Sequence, residues 1–242
     1  MKQSELNKLI KQIAKPLAKT QGWKYSGGFI YKRTDRLFFC LIIGGYAKGK
    51  NLYYLFSYKW FDSDDVFWKI VGLEENSLKP LSFRAAGAWT APTTVLGNGI
   101  IPLARLEEDL IRHELVALLE ITDAHATMLD GKLQTLGDDL LHLELVQLEH
   151  LQVHPNSVRT NHVQIVLDRI MNREYDIALQ EIDLRIAEGD FGGFLFGSKT
   201  FFTAAKDWLT NTMSVDRTDS PANVQTAPSN SRYTAPSRRP FR

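Results

Sequence analysis

The sequence predicts an α+β protein, with an N-terminal helix on a four- to five-stranded, mostly antiparallel sheet and a helical half after it. The first observation behind this fold class is the distribution of aromatic residues: 17 of the 26 lie between Trp23 and Trp89, and none lies between Thr90 and Glu174. Aromatic side chains favour strands, whereas Leu, Ala, Glu and Lys favour helices. The second observation is the hydrophobic period, which changes from alternation to helical spacing at the same point.

The first half begins with an amphipathic helix and continues as alternating strands. Apolar residues recur at helical spacing from Leu6 to Leu17, and Gln21-Gly22 ends the pattern. Strands are predicted over Phe29 to Arg33, Leu37 to Ile43 and Leu52 to Phe61. Because the connections between these strands are short, neighbouring strands are expected to be antiparallel.

The end of the first half is less regular. Val66 to Val71 fits a short helix or a strand, and Leu81 to Trp89 is predicted to be a fourth strand. The following stretch, 90–102, carries two prolines, two glycines and three threonines, a composition typical of loops. The predicted organisation is therefore a helix and sheet over 1–90, a linker over 91–103, a helical region over 104–213 and a disordered tail over 214–242.

The second half has helical spacing of its apolar residues. One helix is predicted to begin near Glu107, and an apolar helix is predicted from about Asp138 to Gln152. A helical hairpin follows, with arms around 163–170 and 178–186, and a last helix covers Lys199 to Met213. The helical half is thus predicted to be a small bundle.

Composition excludes several functional classes. A formal charge of +1 over 242 residues does not indicate a general polyanion binder. The single cysteine, Cys40, cannot form an intramolecular disulfide and lies in an apolar run, which favours a buried, unreactive thiol. No targeting pattern and no run of about 20 apolar residues occurs, so a cytoplasmic protein without a membrane partner is predicted.

One motif has the frame of a phosphate-binding loop. Gly44-Gly45-Tyr46-Ala47-Lys48-Gly49-Lys50-Asn51 matches Gly-x4-Gly-Lys, in which amides at a helix N-terminus surround phosphate. Asn51 replaces the hydroxyl residue that binds magnesium, and the following residues alternate as a strand. The motif is therefore interpreted as a hairpin loop, and no nucleotide or other cofactor is predicted.

Neither a metal site nor a catalytic set is predicted. His150 and His154 are four residues apart with His162 beyond, but Pro155 ends the helix that would align them. Pairs of adjacent carboxylates, such as Asp64-Asp65, point in different directions on a helix and do not form acid/base dyads. The sequence therefore favours a protein that is not an enzyme.

Two alternatives to protein binding stay open. Aromatic residues with nearby lysines and arginines on a sheet can stack unpaired bases, although the pattern of RNA-recognition sheets is absent. An enzyme or a nucleic-acid-processing factor could instead place its site in the cleft between the two halves, with His113 or His142 beside carboxylates.

Residues from Leu9 to Trp60 carry a resemblance to a known family. After the first helix come Gly22-Trp23-Lys24, then Gly28-Phe29-Ile30-Tyr31-Lys32-Arg33, then a very apolar strand. This order resembles an uncharacterised bacterial family defined only as a domain of unknown function. The resemblance implies an α+β fold and a bacterial or phage setting, and it assigns no catalytic residues.

The predicted function is a non-catalytic protein-binding module, with an immunity or adaptor role in bacterial competition or defence suggested by the family setting. Exposed aromatic clusters commonly anchor protein interfaces, and the sheet half has more aromatic residues than a core needs. The predicted binding residues are Tyr46, Lys48, Lys50, Tyr53, Phe61 and Trp68.

Overall fold

The computed structural model describes residues 1–86, 89–136 and 155–218. Its centre is a five-stranded antiparallel sheet in which the strands lie in chain order. The strands are β1 (Lys24–Ser26), β2 (Phe29–Arg33), β3 (Leu37–Tyr46), β4 (Asn51–Trp60) and β5 (Thr94–Pro102). The helices are α1 (Gln3–Thr20), α2 (Ser63–Val71), α3 (Phe83–Ala86), α4 (Glu108–Leu136), α5 (Pro155–Met171), α6 (Tyr175–Ala187) and α7 (Phe201–Thr218). The predicted α+β fold is confirmed.

The first core lies between one face of the sheet and helices α1 and α4. Strand residues such as Phe39, Leu41 and Phe56 alternate onto this face and pack against the apolar stripe of α1. Gly45 permits the close approach of α1, because a Cβ at that position would lie 2.6 Å from a Leu6 side-chain carbon. This helix-on-sheet layer is the arrangement that the sequence predicts.

The second core is formed by helices α2, α5, α6 and α7. Phe67 of α2 stacks on Phe201 of α7 with ring centroids 5.6 Å apart, and both side chains are fully buried. A 3₁₀ helix (Glu74–Leu78) and a small hairpin of β6 (Leu195–Phe196) and β7 (Lys199–Thr200) complete the described elements. Since α2 directly follows β4, it connects the helical core to the sheet.

One predicted strand is wrong, and a segment that fitted either a helix or a strand is a helix. The fourth strand predicted over Leu81 to Trp89 is absent from the described residues of that segment, which include the short helix α3, from which Arg84 reaches the buried Asp64 carboxylate. The strand beside β4 is instead β5, inside the segment predicted to be a linker. Val66 to Val71 is helical and ends at Gly72, whose φ of 69° suits a residue without a side chain.

The remaining elements agree with the sequence where they are described. The first three predicted strands, the helical hairpin of α5 and α6, and the last helix are confirmed. The predicted start of the disordered tail at 214 is wrong, because α7 continues to Thr218. The predicted helix from about Asp138 to Gln152 lies outside the described residues, as does the predicted tail beyond Thr218. No helix in the described part of the chain is long and apolar enough to cross a membrane.

Candidate functional site

The hairpin end of the sheet carries a cluster of exposed apolar side chains. Tyr46 is 50% exposed, Tyr53 is 48% exposed and Ile100 is 69% exposed. Tyr53 and Ile100 are direct cross-strand partners, and both point away from the core that α1 covers. We call these three residues the tyrosine surface. They border an open depression of about 570 Å³ at the end of the sheet.

The Tyr53 ring occupies the space left by a glycine opposite it. Gly44 of β3 pairs with Tyr53 of β4, and a Cβ at Gly44 would lie 2.1 Å from the tyrosine ring. The ring therefore lies directly over the Gly44 backbone, in space that any other residue would fill.

The hairpin itself is attached to the first helix by one side chain. The Gln3 amide nitrogen donates to the Gly45 carbonyl at 2.7 Å, and the Ala47 amide donates to the Gln3 carbonyl oxygen at 2.9 Å. These paired hydrogen bonds fix the β3–β4 turn against the start of α1. Sequence reasoning missed Gln3, because no local pattern indicates a contact across more than 40 residues.

Lys48 and Lys50 give the tip of the hairpin a positive charge. Both side chains are exposed in the turn between β3 and β4, and neither forms an ion pair with a described residue. The four predicted site residues Tyr46, Lys48, Lys50 and Tyr53 are thus brought together. The tyrosine surface with this basic tip can accept an apolar partner surface that has an acidic rim.

The structure places Phe61 and Trp68 elsewhere, at the opposite end of β4. The Phe61 ring centroid lies close to two guanidinium groups, 3.6 Å from that of Arg33 and 4.2 Å from that of Arg84. Trp68 is 1% exposed, and its indole donates to the Trp89 carbonyl at 2.6 Å. The expectation that Trp68 adds to an exposed aromatic surface is wrong, because its face of α2 is buried in the second core.

A buried charge network lies where β4 meets α2. The Lys59 ammonium contacts Asp64 at 2.7 Å, and Arg84 contacts Asp64 at 3.4 Å and Asp65 at 2.8 Å. Lys59 and Asp64 are fully buried, and Asp64 also accepts the Ala91 amide at 2.8 Å. Burial lowers the pKa of Lys59, while the Asp64 carboxylate opposes that change. Each charged side chain in this network has a partner of opposite charge. The network therefore joins β4 and α2 to the segments that carry Arg84 and Ala91.

A crevice of about 330 Å³ lies between the sheet and the helical half, at the place proposed for an enzyme site. It is lined in part by Cys40, Ser57, Arg84 and Phe194. Burial raises the pKa of the Cys40 thiol to about 11, so it is protonated at neutral pH and is a poor nucleophile. Arg84 is occupied by two carboxylates and the Phe61 carbonyl. Neither Cys40 nor Arg84 is therefore an activated group.

The histidines do not converge on the crevice in the described part of the chain. His113 is exposed on α4, which covers the opposite face of the sheet, and His142, His150 and His154 lie outside the described residues. His162 is buried, and its Nδ1 lies 2.8 Å from Glu181. This hydrogen bond, helped by Arg185, holds the pKa of Glu181 below its usual value and joins α5 to α6. Across the described ranges, no three potential metal ligands cluster.

Comparison with models of known families, with curated proteins and with solved structures finds no match to this chain. The resemblance over Leu9 to Trp60 therefore stays a prediction from the sequence. The functional argument depends on the geometry of the tyrosine surface and on the chemistry of the residues around it.

Proposed function

We propose that the protein is a non-catalytic protein-binding module and that the tyrosine surface contacts its partner. The observation that supports this proposal is the exposure of Tyr46, Tyr53 and Ile100 together at one end of the sheet. Tyrosine combines a large apolar area with a hydroxyl and few rotatable bonds, and it is enriched among residues that dominate binding energy. A cluster of such residues on a protein surface is typical of an interface.

The charge distribution supports a protein partner over a nucleic acid. Nucleic-acid grooves combine stacking rings with many cations along the path of the backbone. Here Lys48 and Lys50 occupy only the tip, and Ile100, which offers no flat ring for stacking, is the most exposed member of the surface. We therefore propose a partner with an apolar centre and carboxylates at one side, which would meet the two lysines.

An immunity or adaptor role in bacterial competition or defence is the finer form of this proposal. It is supported by the sequence resemblance, which implies a bacterial or phage setting. An immunity protein or an adaptor acts by binding another protein and needs no catalytic residues, so the tyrosine surface would be sufficient for either role.

The proposal is tested by comparing partners of matched variants. Tagged wild-type protein, Tyr53→Ala, Ile100→Ser and Ile121→Ser are purified gently from bacterial cells, and the retained proteins are identified by mass spectrometry. Ile121 is the control, since it is 58% exposed on α4, away from the tyrosine surface. A true partner is retained by wild type and Ile121→Ser and lost by the other two variants.

The partner defined in this way is then purified and its affinity is measured. We expect Tyr53→Ala to weaken binding by about 30-fold or more, as for a central interface tyrosine. Lys48→Glu with Lys50→Glu should slow association and reduce its salt dependence. Equal retention of every protein by all four baits would contradict the proposal, and recovery of nucleic acid alone would favour the alternative function.

A further inference from the structure

The strand at one edge of the sheet is long and uncharged, and its regular stretch lies between a bulge at Leu96 and Pro102. β5 spans Thr94–Pro102, with the sequence TVLGNGIIP and no charged residue. The other edge strand, β1, has only three residues and includes the exposed Lys24. Proteins commonly protect sheet edges with short strands or lysines, because an open edge can pair with another chain. No described strand pairs with β5 on its outer side.

The ladder between β4 and β5 shows which β5 groups point outward. The Leu103 amide donates to the Lys50 carbonyl at 2.7 Å, in register with the pairing of Asn51 and Pro102. Hydrogen-bonded and non-bonded pairs alternate along an antiparallel ladder. The amides and carbonyls of Gly99 therefore face β4, whereas those of Asn98 and Ile100 face outward. Within the described part of the chain, the Asn98 and Ile100 amides have no acceptor.

We infer that β5 pairs with β5 of a second copy of this chain, in an antiparallel dimer whose twofold axis passes at Gly99. In this register the Asn98 amide donates to the carbonyl of the partner's Ile100, and the Ile100 amide donates to the carbonyl of the partner's Asn98. The symmetry operation repeats both bonds. The outward groups of the strand are thus complementary to themselves, as a twofold interface requires.

The side chains near the axis are compatible with this pairing. Gly99 has no side chain, so the two strands meet there without a clash on the α1 side, where the Tyr54 ring lies under Gly99. On the other face, Ile100 lies beside the partner's Asn98, and neither residue is charged. The antiparallel arrangement also places the two basic tips with Lys48 and Lys50 at opposite ends, so they do not repel each other.

The dimer has a consequence for binding. A twofold axis perpendicular to the sheet joins the two sheets into one and puts both tyrosine surfaces on the same side. A dimer would therefore present two adjacent binding surfaces and raise the avidity for a multivalent partner. The inference does not depend on the proposed function, because a dimer through β5 can form whether or not the tyrosine surface binds another protein.

The test measures self-association of the purified chain by sedimentation velocity across a concentration series from about 1 to 500 µM, a range suited to an interface of small area. We expect the mass to rise from 27.5 kDa toward twice that value. Asn98→Pro removes the outward amide and should weaken the dimer about 30-fold. Asn98→Ala keeps that amide and should dimerise like wild type, as should Tyr53→Ala.

Hydrogen exchange provides a second measurement that needs no variant. The Asn98 and Ile100 amides should exchange rapidly at low protein concentration and slowly at high concentration, while the Gly99 amide is protected at both. If Asn98→Pro does not fold, Ile100→Lys replaces it, with Ile121→Lys as the matched surface control. The inference is overturned if the chain stays monomeric over the concentration series. It is also overturned if Asn98→Pro leaves a dimer intact, or if the Asn98 and Ile100 amides exchange rapidly in the dimer.

Discussion

At the scale of single residues, the buried charges at the junction of β4 and α2 have a structural explanation. Asp64 satisfies Lys59, Arg84 and the Ala91 amide at once, and its side chain is fully buried. A buried ion pair contributes little net stability when it is intact, but removing one partner leaves an uncompensated charge. The role of Asp64 is therefore to connect the junction of β4 and α2 to Arg84 and Ala91, which lie 20 and 27 residues further along the chain.

Asp64→Asn tests this role. The substitution keeps the shape of the side chain and leaves Lys59 and Arg84 facing a neutral amide. We expect the free energy of unfolding to fall by about 3–5 kcal/mol, measured by urea denaturation. Glu108→Gln is the control, because it breaks an exposed ion pair with Arg112 and should cost at most about 1 kcal/mol. Equal effects of the two substitutions would contradict the structural role.

Cys40 provides a test that depends on pH. Its pKa is raised from 9.0 to about 11 by burial, so the folded state holds the thiol proton more tightly than the unfolded state. The stability from this group is present below about pH 9 and is lost as the pH rises toward 11, at about 1.4 kcal/mol per pH unit. Wild-type protein should therefore lose about 1–2 kcal/mol more than Cys40→Ala between pH 8 and pH 10 in urea denaturation. Identical losses would show that the thiol titrates normally.

At the scale of elements, the β3–β4 hairpin depends on the fit between Gly44 and Tyr53. Gly44→Ala forces the ring to move, since the new Cβ would lie 2.1 Å from it, and we expect a loss of about 1–3 kcal/mol. The double variant Gly44→Ala with Tyr53→Ala should recover much of that loss in a double-mutant cycle by urea denaturation. Gly97→Ala is the matched control, because its nearest contact would be an ordinary 3.9 Å from Tyr54.

A comparison of the predicted elements with the observed ones shows which strands could be predicted from the sequence. The strands β2, β3 and β4 were predictable because their side chains alternate over whole faces. β5 was not, because its two glycines and its proline resemble a loop, and it becomes a strand only through pairing with β4. The prediction of a strand over Leu81 to Trp89 was wrong for the opposite reason. Its apolar residues resemble a strand, but Phe83–Ala86 form a helix and Arg84 contacts the buried Asp64 carboxylate.

The candidate site was predictable only where it is local. Tyr46, Lys48, Lys50 and Tyr53 lie within eight positions of one hairpin, so a sequence pattern was sufficient to group them. Ile100 joins them through strand pairing and Gln3 through a contact from α1, and neither relation leaves a local signal. Trp68 was misplaced because an aromatic residue on a short helix gives no indication of which neighbours will bury it.

At the scale of the whole molecule, α2 connects the two cores and should make them unfold together. Asp64 joins α2 to the sheet, and Phe67 packs the same helix against α7. We expect Ile13→Ala in the first core and Ile182→Ala in the second each to cost about 2–5 kcal/mol. Because the cores are coupled, each variant should lower the free energy of the opening that exposes the amides by the same amount in peptides from β3 and in peptides from α6. Hydrogen exchange in denaturant measures these free energies. An effect confined to the core that carries the substitution would instead show two independent folding units.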